Sequence, residues 1–274
     1  MQIAFSKYHG IGNDFIVVER RPNDGIELPA ELVRRMCNRH SGIGADGVLE
    51  TGLRGGRPFM KVNNADGSTS EMCGNGLRCV ARYLASRRLV SSASFEVDTD
   101  AGPHRCVMEG DRIRVTMRVP SLAPSDVPVE SDAPVVDAPW KFDGETLRIT
   151  AVSMGNPHAV TFDDVDDARR RRLGPRIETD ARFPARVNVG FAKVEGPAEL
   201  ALRVWERGAG WTLACGTGAS AAAVAAVETG RVKRGAPVTV KLPGGALEIT
   251  VGAPGAPVEM AGPAVHVYEG QTNI

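Results

Sequence analysis

No run of apolar residues in the chain approaches the length of a membrane span, and Met1-Gln2-Ile3-Ala4-Phe5-Ser6-Lys7 lacks the apolar core of a signal peptide. A cytoplasmic protein with no membrane partner is expected. Charge of one sign is missing too. The 33 acidic and 33 basic residues cancel to a formal net charge of zero, so no global field draws the chain to nucleic acid or to an anionic surface. The five cysteines (Cys37, Cys73, Cys79, Cys106, Cys215) are odd in number and show neither CxxC nor Cys/His ligand spacing. That argues against a disulfide framework and a structural zinc site. Gly42-Ile43-Gly44-Ala45-Asp46-Gly47 meets the dinucleotide pattern GxGxxG. Yet a helix precedes it and a strand, Val48-Leu49-Glu50, follows, the reverse of what phosphate binding requires. It reads as a turn. With no metal or cofactor motif left, small-molecule chemistry is the expectation.

What the sequence does contain is a repeat. Glu71-Met72-Cys73-Gly74-Asn75-Gly76-Leu77-Arg78-Cys79 has a partner in Ala214-Cys215-Gly216-Thr217-Gly218-Ala219-Ser220, each reading Cys-Gly-x-Gly before a helix. In the first copy Leu77, Val80, Ala81 and Leu84 fall at the spacing of one buried helical face, with Arg87 and Arg88 at its end. The second copy, Thr217 to Glu228, is nearly all Ala with two Val and a capping Gly230. The offset of 142 residues between the cysteines also relates Asn64 to Glu206 and Asp46-Gly47-Val48 to Asn188-Val189-Gly190. An offset of 143 relates Gly12-Asn13-Asp14-Phe15 to Gly155-Asn156-Pro157-His158. Self-similarity at a constant offset implies two homologous halves.

Short β-rich runs fill the first half: Phe15–Glu19, Phe59–Asn63, Ser94–Asp98, Arg105–Glu109 and Arg112–Met117, with one helix from Pro29 to His40. Five prolines from Pro120 to Pro139 mark an irregular connection. The second half runs through Thr146–Val152, His158–Phe162, Asn188–Val194, Ala201–Glu206, Val238–Leu242 and Leu247–Val251, and the charge run Arg169–Arg172 reads as a solvated face. The expected fold is α+β, two pseudo-symmetric domains each with a mostly antiparallel sheet around a central helix, and an active-site cleft between them. The domains are expected at residues 1–118, joined by a returning C-terminal strand at 264–274, and at 119–263.

A Cys at a helix start sits beside unpaired N–H groups and the positive end of the helix dipole, which favours the thiolate. Two such thiols have an economical use: one removes a proton from a face of a substrate carbon and the other delivers a proton to the opposite face, inverting the centre. The backbone N–H groups of Gly74, Asn75, Gly216 and Thr217 would hold the carboxylate on which charge develops. The two thiols must then differ in protonation and titrate together. His158 and Glu206 are candidate tuners of the basic sulfur. Asn13, Asn64, Asn156, Asn188, Glu206 and Arg207 form a polar set suited to a second amino-acid head group, Arg taking a carboxylate and Glu an ammonium. Cys37, Cys79 and Cys106 read as inert buried thiols.

Across essentially its whole length the chain resembles the diaminopimelate epimerases. The segments that carry the likeness are His9-Gly10-Ile11-Gly12-Asn13-Asp14-Phe15, Asn64-Ala65-Asp66-Gly67, Met72 to Cys79, Met154-Gly155-Asn156-Pro157-His158, Trp205-Glu206-Arg207-Gly208, Ala214 to Gly218 and Gly262 to Tyr268. The resemblance implies interconversion of LL- and meso-2,6-diaminopimelate without a cofactor, in bacterial lysine and cell-wall precursor synthesis, with Cys73 and Cys215 as acid and base. It implies that Asn13, Asn64, Asn156, Asn188, Glu206 and Arg207 hold the distal end, that His158 and Glu206 tune catalysis, and that Tyr268 lies in a homodimer contact. Some relatives carry Gln where this chain has Gly47, smaller or acidic residues at Trp211, and Cys at Ser220. A proline racemase or hydroxyproline epimerase is the neighbouring reading, although those relatives show His where this chain has Asn75. A non-catalytic amino-acid-binding or thiol redox protein is the alternative from another class.

Overall fold

Leu77, Val80, Ala81 and Leu84 are fully buried, and they form the inner face of a helix at Gly74–Ser86. Burying each of the larger ones contributes roughly 1.5–3 kcal/mol. The computed structural model, which describes residues 2–21 and 27–273, divides into two units, Met1–Thr116 with Ala261–Ile274, and Met117–Met260. In chain order the elements are β1 (Ile3–Gly10), β2 (Asn13–Arg20), α1 (Ala30–Cys37), β3 (Gly47–Arg54), β4 (Arg57–Asn64), β5 (Thr69–Ser70), α2 (Gly74–Ser86), β6 (Ser94–Thr99), β7 (Gly102–Glu109) and β8 (Arg112–Thr116). There follow β9 (Ala138–Phe142), β10 (Glu145–Ser153), β11 (Pro157–Thr161), α3 (Asp167–Glu178), β12 (Asn188–Gly196), β13 (Glu199–Glu206), β14 (Gly210–Trp211), α4 (Gly216–Glu228), β15 (Pro237–Leu242), β16 (Gly245–Val251), β17 (Val258–Pro263) and β18 (Val265–Thr272). The last strand pairs antiparallel with β1.

Each unit uses one succession of strand senses. In the first, β1–β2 is antiparallel, β2–β3 parallel, β3–β4 antiparallel, β4–β6 parallel and β6–β7 antiparallel. In the second, β10–β11 is antiparallel, β11–β12 parallel, β12–β13 antiparallel, β13–β15 parallel and β15–β16 antiparallel. The two-residue strands β5 and β14 sit on β4 and β13, each just before its Cys-headed helix. Gly12 and Gly155 turn the chain at φ of 89° and 90°, a region open to Gly at no steric cost. Within the first unit α2 packs on β1, β2, β3, β4, β7, β8 and β18; within the second α4 packs on β10, β11, β12, β13, β15 and β16. Ala219, Ala221, Ala222, Ala223, Ala225 and Ala226 are all fully buried. A helix apolar on every side must be enclosed, and its small side chains let the sheet close on it. The α+β class with a duplicated, largely antiparallel sheet is the fold observed.

The structure differs from the sequence reading at several elements. Helix α1 ends at Cys37 rather than His40, because Asn38 Oδ1 accepts the N–H groups of His40 (2.8 Å) and Ser41 (2.9 Å) and turns the chain out. The segment around Arg169–Arg172 is helical: α3 starts at an Asp166 cap whose Oδ1 accepts the Arg169 N–H at 2.8 Å. Only four of its residues, Leu173, Gly174, Ile177 and Glu178, are buried, and Gly174 and Pro175 lower its propensity, so its sequence shows little apolar period. Strands β1, β5, β9, β14 and β17 also stand where the sequence reading places none. The proline-rich connection is irregular up to β9, apart from a bridge between Ser121 and Ser153. The GxGxxG segment is a turn that leads into β3, and a Cβ on Gly47 would stand 2.7 Å from the Asn63 carbonyl oxygen.

Candidate active site

Cys73 and Cys215 occupy the same position in their units. Each is the N-cap of its helix in extended backbone, Cys73 at φ −139°, ψ 115° and Cys215 at φ −131°, ψ 106°. Each sulfur accepts the N–H three residues on, from Gly76 at 3.5 Å and from Gly218 at 3.3 Å. This is the capping bond a Ser or Asp normally makes. It uses the third N–H of the helix, while the two before it, Gly74 and Asn75 in α2 and Gly216 and Thr217 in α4, have no acceptor within their own helix by α-helical geometry. Those groups face the anion-favouring end of the dipole.

In the second unit a chain of hydrogen bonds reaches the thiol. His158 Nε2–H donates to Asn156 Oδ1 at 3.0 Å, Asn156 Nδ2 donates to Thr217 Oγ1 at 3.4 Å, and Thr217 Oγ1 lies 3.6 Å from Cys215 Sγ. His158 is 1% exposed, and burial, followed by the neighbouring Arg207 charge, pushes its pKa down to about 3. The imidazole is therefore neutral at physiological pH, and it is joined to Cys215 by this chain. Burial also pushes the Cys215 thiol well above its ordinary pKa; the Glu206 carboxylate adds to the rise, against the lowering by Thr217 and the Gly218 N–H. The expected thiolate preference is overridden here, because desolvation of a nearly enclosed sulfur outweighs the helix end. Cys215 holds a proton.

The turn carrying Glu206 and Arg207 is held from two sides. Thr212 Oγ1 donates to Glu206 Oε1 at 2.5 Å. Glu178, buried on α3, accepts Trp205 Nε1–H at 2.6 Å through Oε2 and the Gly208 N–H at 2.9 Å through Oε1. Asn188 accepts the Arg207 N–H at 2.9 Å and donates to the Pro157 carbonyl at 2.9 Å, so both ends of its amide brace this turn. Arg207 reaches the Ala185 carbonyl at 2.9 Å. Neither Glu178 nor Thr212 was singled out in the sequence. Both lie outside the repeat blocks, and Glu178 closes a helix whose composition hid it.

In the first unit Asn13 donates to Asp46 Oδ2 at 2.7 Å and accepts from Asn75 Nδ2 at 3.1 Å, and Asn75 Oδ1 accepts from Arg78 at 2.9 Å. Asn13–Asn75 thus mirrors Asn156–Thr217 at the repeat offsets. Arg78 is fully buried; it also donates to the carbonyls of Pro263 and Gly74, and burial lowers its pKa to about 10. Asn64 donates to Ser68 Oγ at 2.9 Å and Ser70 Oγ at 3.0 Å. Cys37, Cys79 and Cys106 are buried away from helix starts, and desolvation pushes them up to about 11, 12 and 12. Such thiols are inert at neutral pH. Trp211 packs at right angles to Trp205, 5.4 Å between ring centres, and Ser220 Oγ donates to the Gly216 carbonyl at 3.0 Å. Tyr268 is 42% exposed on β18.

The sequence profile described as diaminopimelate epimerase matches residues 5–122 and 150–267. Proteins named diaminopimelate epimerase from Desulforudis audaxviator and a Synechocystis strain are 47% and 45% identical to this chain; the first covers 98% of this chain and 99% of its own, the second 100% of both. Among solved structures, a phenazine biosynthesis protein of the PhzF family from Bacillus anthracis superposes at a TM-score of 0.72, with 16% identity and all of both chains covered. A hydroxyproline epimerase from Agrobacterium vitis, with trans-4-hydroxy-L-proline bound, gives 0.68 at 16% identity over 99% of this chain and 92% of that one. At such identities these structures are similar in fold alone.

Proposed function

The chain belongs to the diaminopimelate epimerase family, and from that premise we propose that it interconverts LL- and meso-2,6-diaminopimelate with Cys73 and Cys215 as its acid and base. The observation that carries the reading is the duplicated cysteine N-cap, an unusual residue at that position placed twice in the same local geometry. One sulfur, as thiolate, takes the α-proton; the other, as thiol, returns a proton to the opposite face, so the number of protons on the enzyme is unchanged and the stereocentre is inverted. Charge developing on the adjacent carboxylate is taken up by the N–H groups of Gly74, Asn75, Gly216 and Thr217. Asn13, Asn64, Asn156, Asn188, Glu206 and Arg207 hold the distal amino acid.

Glu206 has a second part in this reading. Its carboxylate helps to keep Cys215 protonated. Pairing with the distal ammonium of the substrate cancels that charge, so the thiol becomes more acidic once the substrate is held. The enzyme works in the cytoplasm as a homodimer, with Tyr268 in the contact; the exposure of Val265, Val267 and Tyr268 along β18 supports a second copy there.

Incubation of the reduced protein with LL-diaminopimelate in D2O, followed by stereoisomer and α-deuterium analysis, tests the reaction. Formation of deuterated meso product is expected, with turnover lost by at least roughly 10²-fold in Cys73→Ala and in Cys215→Ala, the contribution of a positioned acid or base. Turnover of either variant near the wild-type rate would remove the two-thiol assignment. Turnover of proline without diaminopimelate would move the chain to the neighbouring isomerases.

A further inference from the structure

A cavity of about 310 Å³ opens in the second unit between the first turn of α3, strand β13 and the segment leading to Cys215. Its wall carries Arg170, Arg171 and Arg203, with Trp211, Thr212 and Leu213 beside them. Arg170 is paired with Asp167 at 3.0 Å, yet its buried Nε–H has no hydrogen-bond partner among the described residues. Arg171 and Arg203 are exposed and, among the described residues, make no ion pair or side-chain hydrogen bond. Three guanidinium groups against one carboxylate leave a formal surplus of two positive charges. Trp211 is 38% and Leu213 57% exposed, and the Trp211 ring is held edge-on by Trp205 and tilted against Phe191 at 6.0 Å. An apolar wall with a rigid aromatic face beside unengaged guanidinium forks is the makeup of a ligand pocket. The volume is at the lower end for such sites, of the size that one or two fused rings fill.

We propose that this cavity is a second binding site, for a planar aromatic anion that stacks on Trp211 and gives its charge to Arg171 and Arg203. The site is wired to Cys215. Thr212 lines the cavity, and its hydroxyl holds the Glu206 carboxylate at 2.5 Å; Glu206 in turn helps to keep the Cys215 thiol protonated. Trp211 and Gly210 pair with Trp205 and Glu206 through β14. A ligand that shifts β14 or Thr212 therefore changes the position of the carboxylate beside the thiol, and the two sites share a coupling free energy.

Calorimetry on the intact protein with 2-naphthoate tests the site, with neutral 2-naphthol and inorganic phosphate as the ring-only and charge-only controls. Saturable one-to-one binding of 2-naphthoate is expected, tighter than either control and weakened about tenfold in Arg171→Ala and in Arg203→Ala, the scale of one charge-assisted hydrogen bond. Both arginines are exposed and have no partner among the described residues, so their removal is expected to leave the fold intact. Bound 2-naphthoate is also expected to shift the pH profile of Cys215 alkylation in the wild type and not in Thr212→Val. Absence of saturable binding, binding indifferent to the arginines, or phosphate binding as tightly as naphthoate would overturn the aromatic-anion site. Binding with an unmoved alkylation profile would overturn the coupling. Neither readout depends on turnover of diaminopimelate.

Discussion

Burial raises the Cys215 thiol first, and the Glu206 carboxylate raises it further. Alkylation by iodoacetamide reads the thiolate fraction directly. Replacing Glu206 by Gln removes a negative charge that disfavours the thiolate, so the midpoint of the Cys215 alkylation profile is expected to move to lower pH. Mass-spectrometric mapping separates Cys215 from Cys73, and an unmoved or upward midpoint would disprove the electrostatic role. His158 leads to a stability prediction with the opposite use of pH. Its folded pKa is depressed to about 3 from an ordinary 6.5, so between those values the unfolded chain binds the extra proton. Stability contributed by the neutral imidazole is complete above about 6.5 and is lost as pH falls toward 3, at up to ~1.4 kcal/mol per pH unit. Urea unfolding at successive pH values is expected to show this slope in the wild type and a flatter one in His158→Gln. Equal slopes would mean that the ring finds water or a proton acceptor when charged.

At the scale of elements, α3 positions the turn that carries Glu206 and Arg207. Both oxygens of Glu178 are engaged, one with the Trp205 indole and one with the Gly208 N–H. Glutamine keeps a single acceptor, so Glu178→Gln leaves one buried donor unsatisfied at a cost of about 1–3 kcal/mol. Because the turn presents groups proposed to hold the distal end of the substrate, KM is expected to rise more than kcat falls. Steady-state kinetics on LL-diaminopimelate decide this, and a fall in kcat at constant KM would place the effect on the reacting end. The sequence showed the turn's functional residues and hid their support. Cys-Gly-x-Gly, Gly-Asn and the apolar stripe of α2 are local signals that physics ties to local geometry: a cap, a positive φ and a buried face. The brace on Glu178 is tertiary. Its partners lie 27 and 30 residues away in the chain, while Glu178 itself ends a helix with five arginines and an internal proline, and no periodicity announces it. The dominance of burial over the helix end at Cys215 was equally invisible, since the alanines of α4 reveal that the helix is enclosed but not how far its first sulfur is.

At the scale of the whole molecule, the two units share one succession of strands and one capped helix, and their differences lie in what each adds. The first adds β18, whose Val265, Val267 and Tyr268 are 44%, 52% and 42% exposed. Val265 and Val267 share one side of the strand and Tyr268 takes the other, where its ring meets Phe5 edge-on at 6.0 Å. On the valine side the strand leaves two neighbouring apolar side chains bare, and such exposure marks an interface. The proposed homodimer covers it, and a two-fold contact counts each side chain twice. Burying one valine is worth roughly 1.5–3 kcal/mol, so Val267→Asp, which removes it from both copies and adds two desolvated carboxylates, is expected to weaken the dimer at least about 10²-fold. Sedimentation equilibrium across a range of protein concentrations measures this. A wild-type chain that stays monomeric throughout, or a Val267→Asp chain that associates as tightly as the wild type, would show that β18 is not the contact. Loss of association with the D2O exchange retained would separate the dimer from the chemistry of each copy.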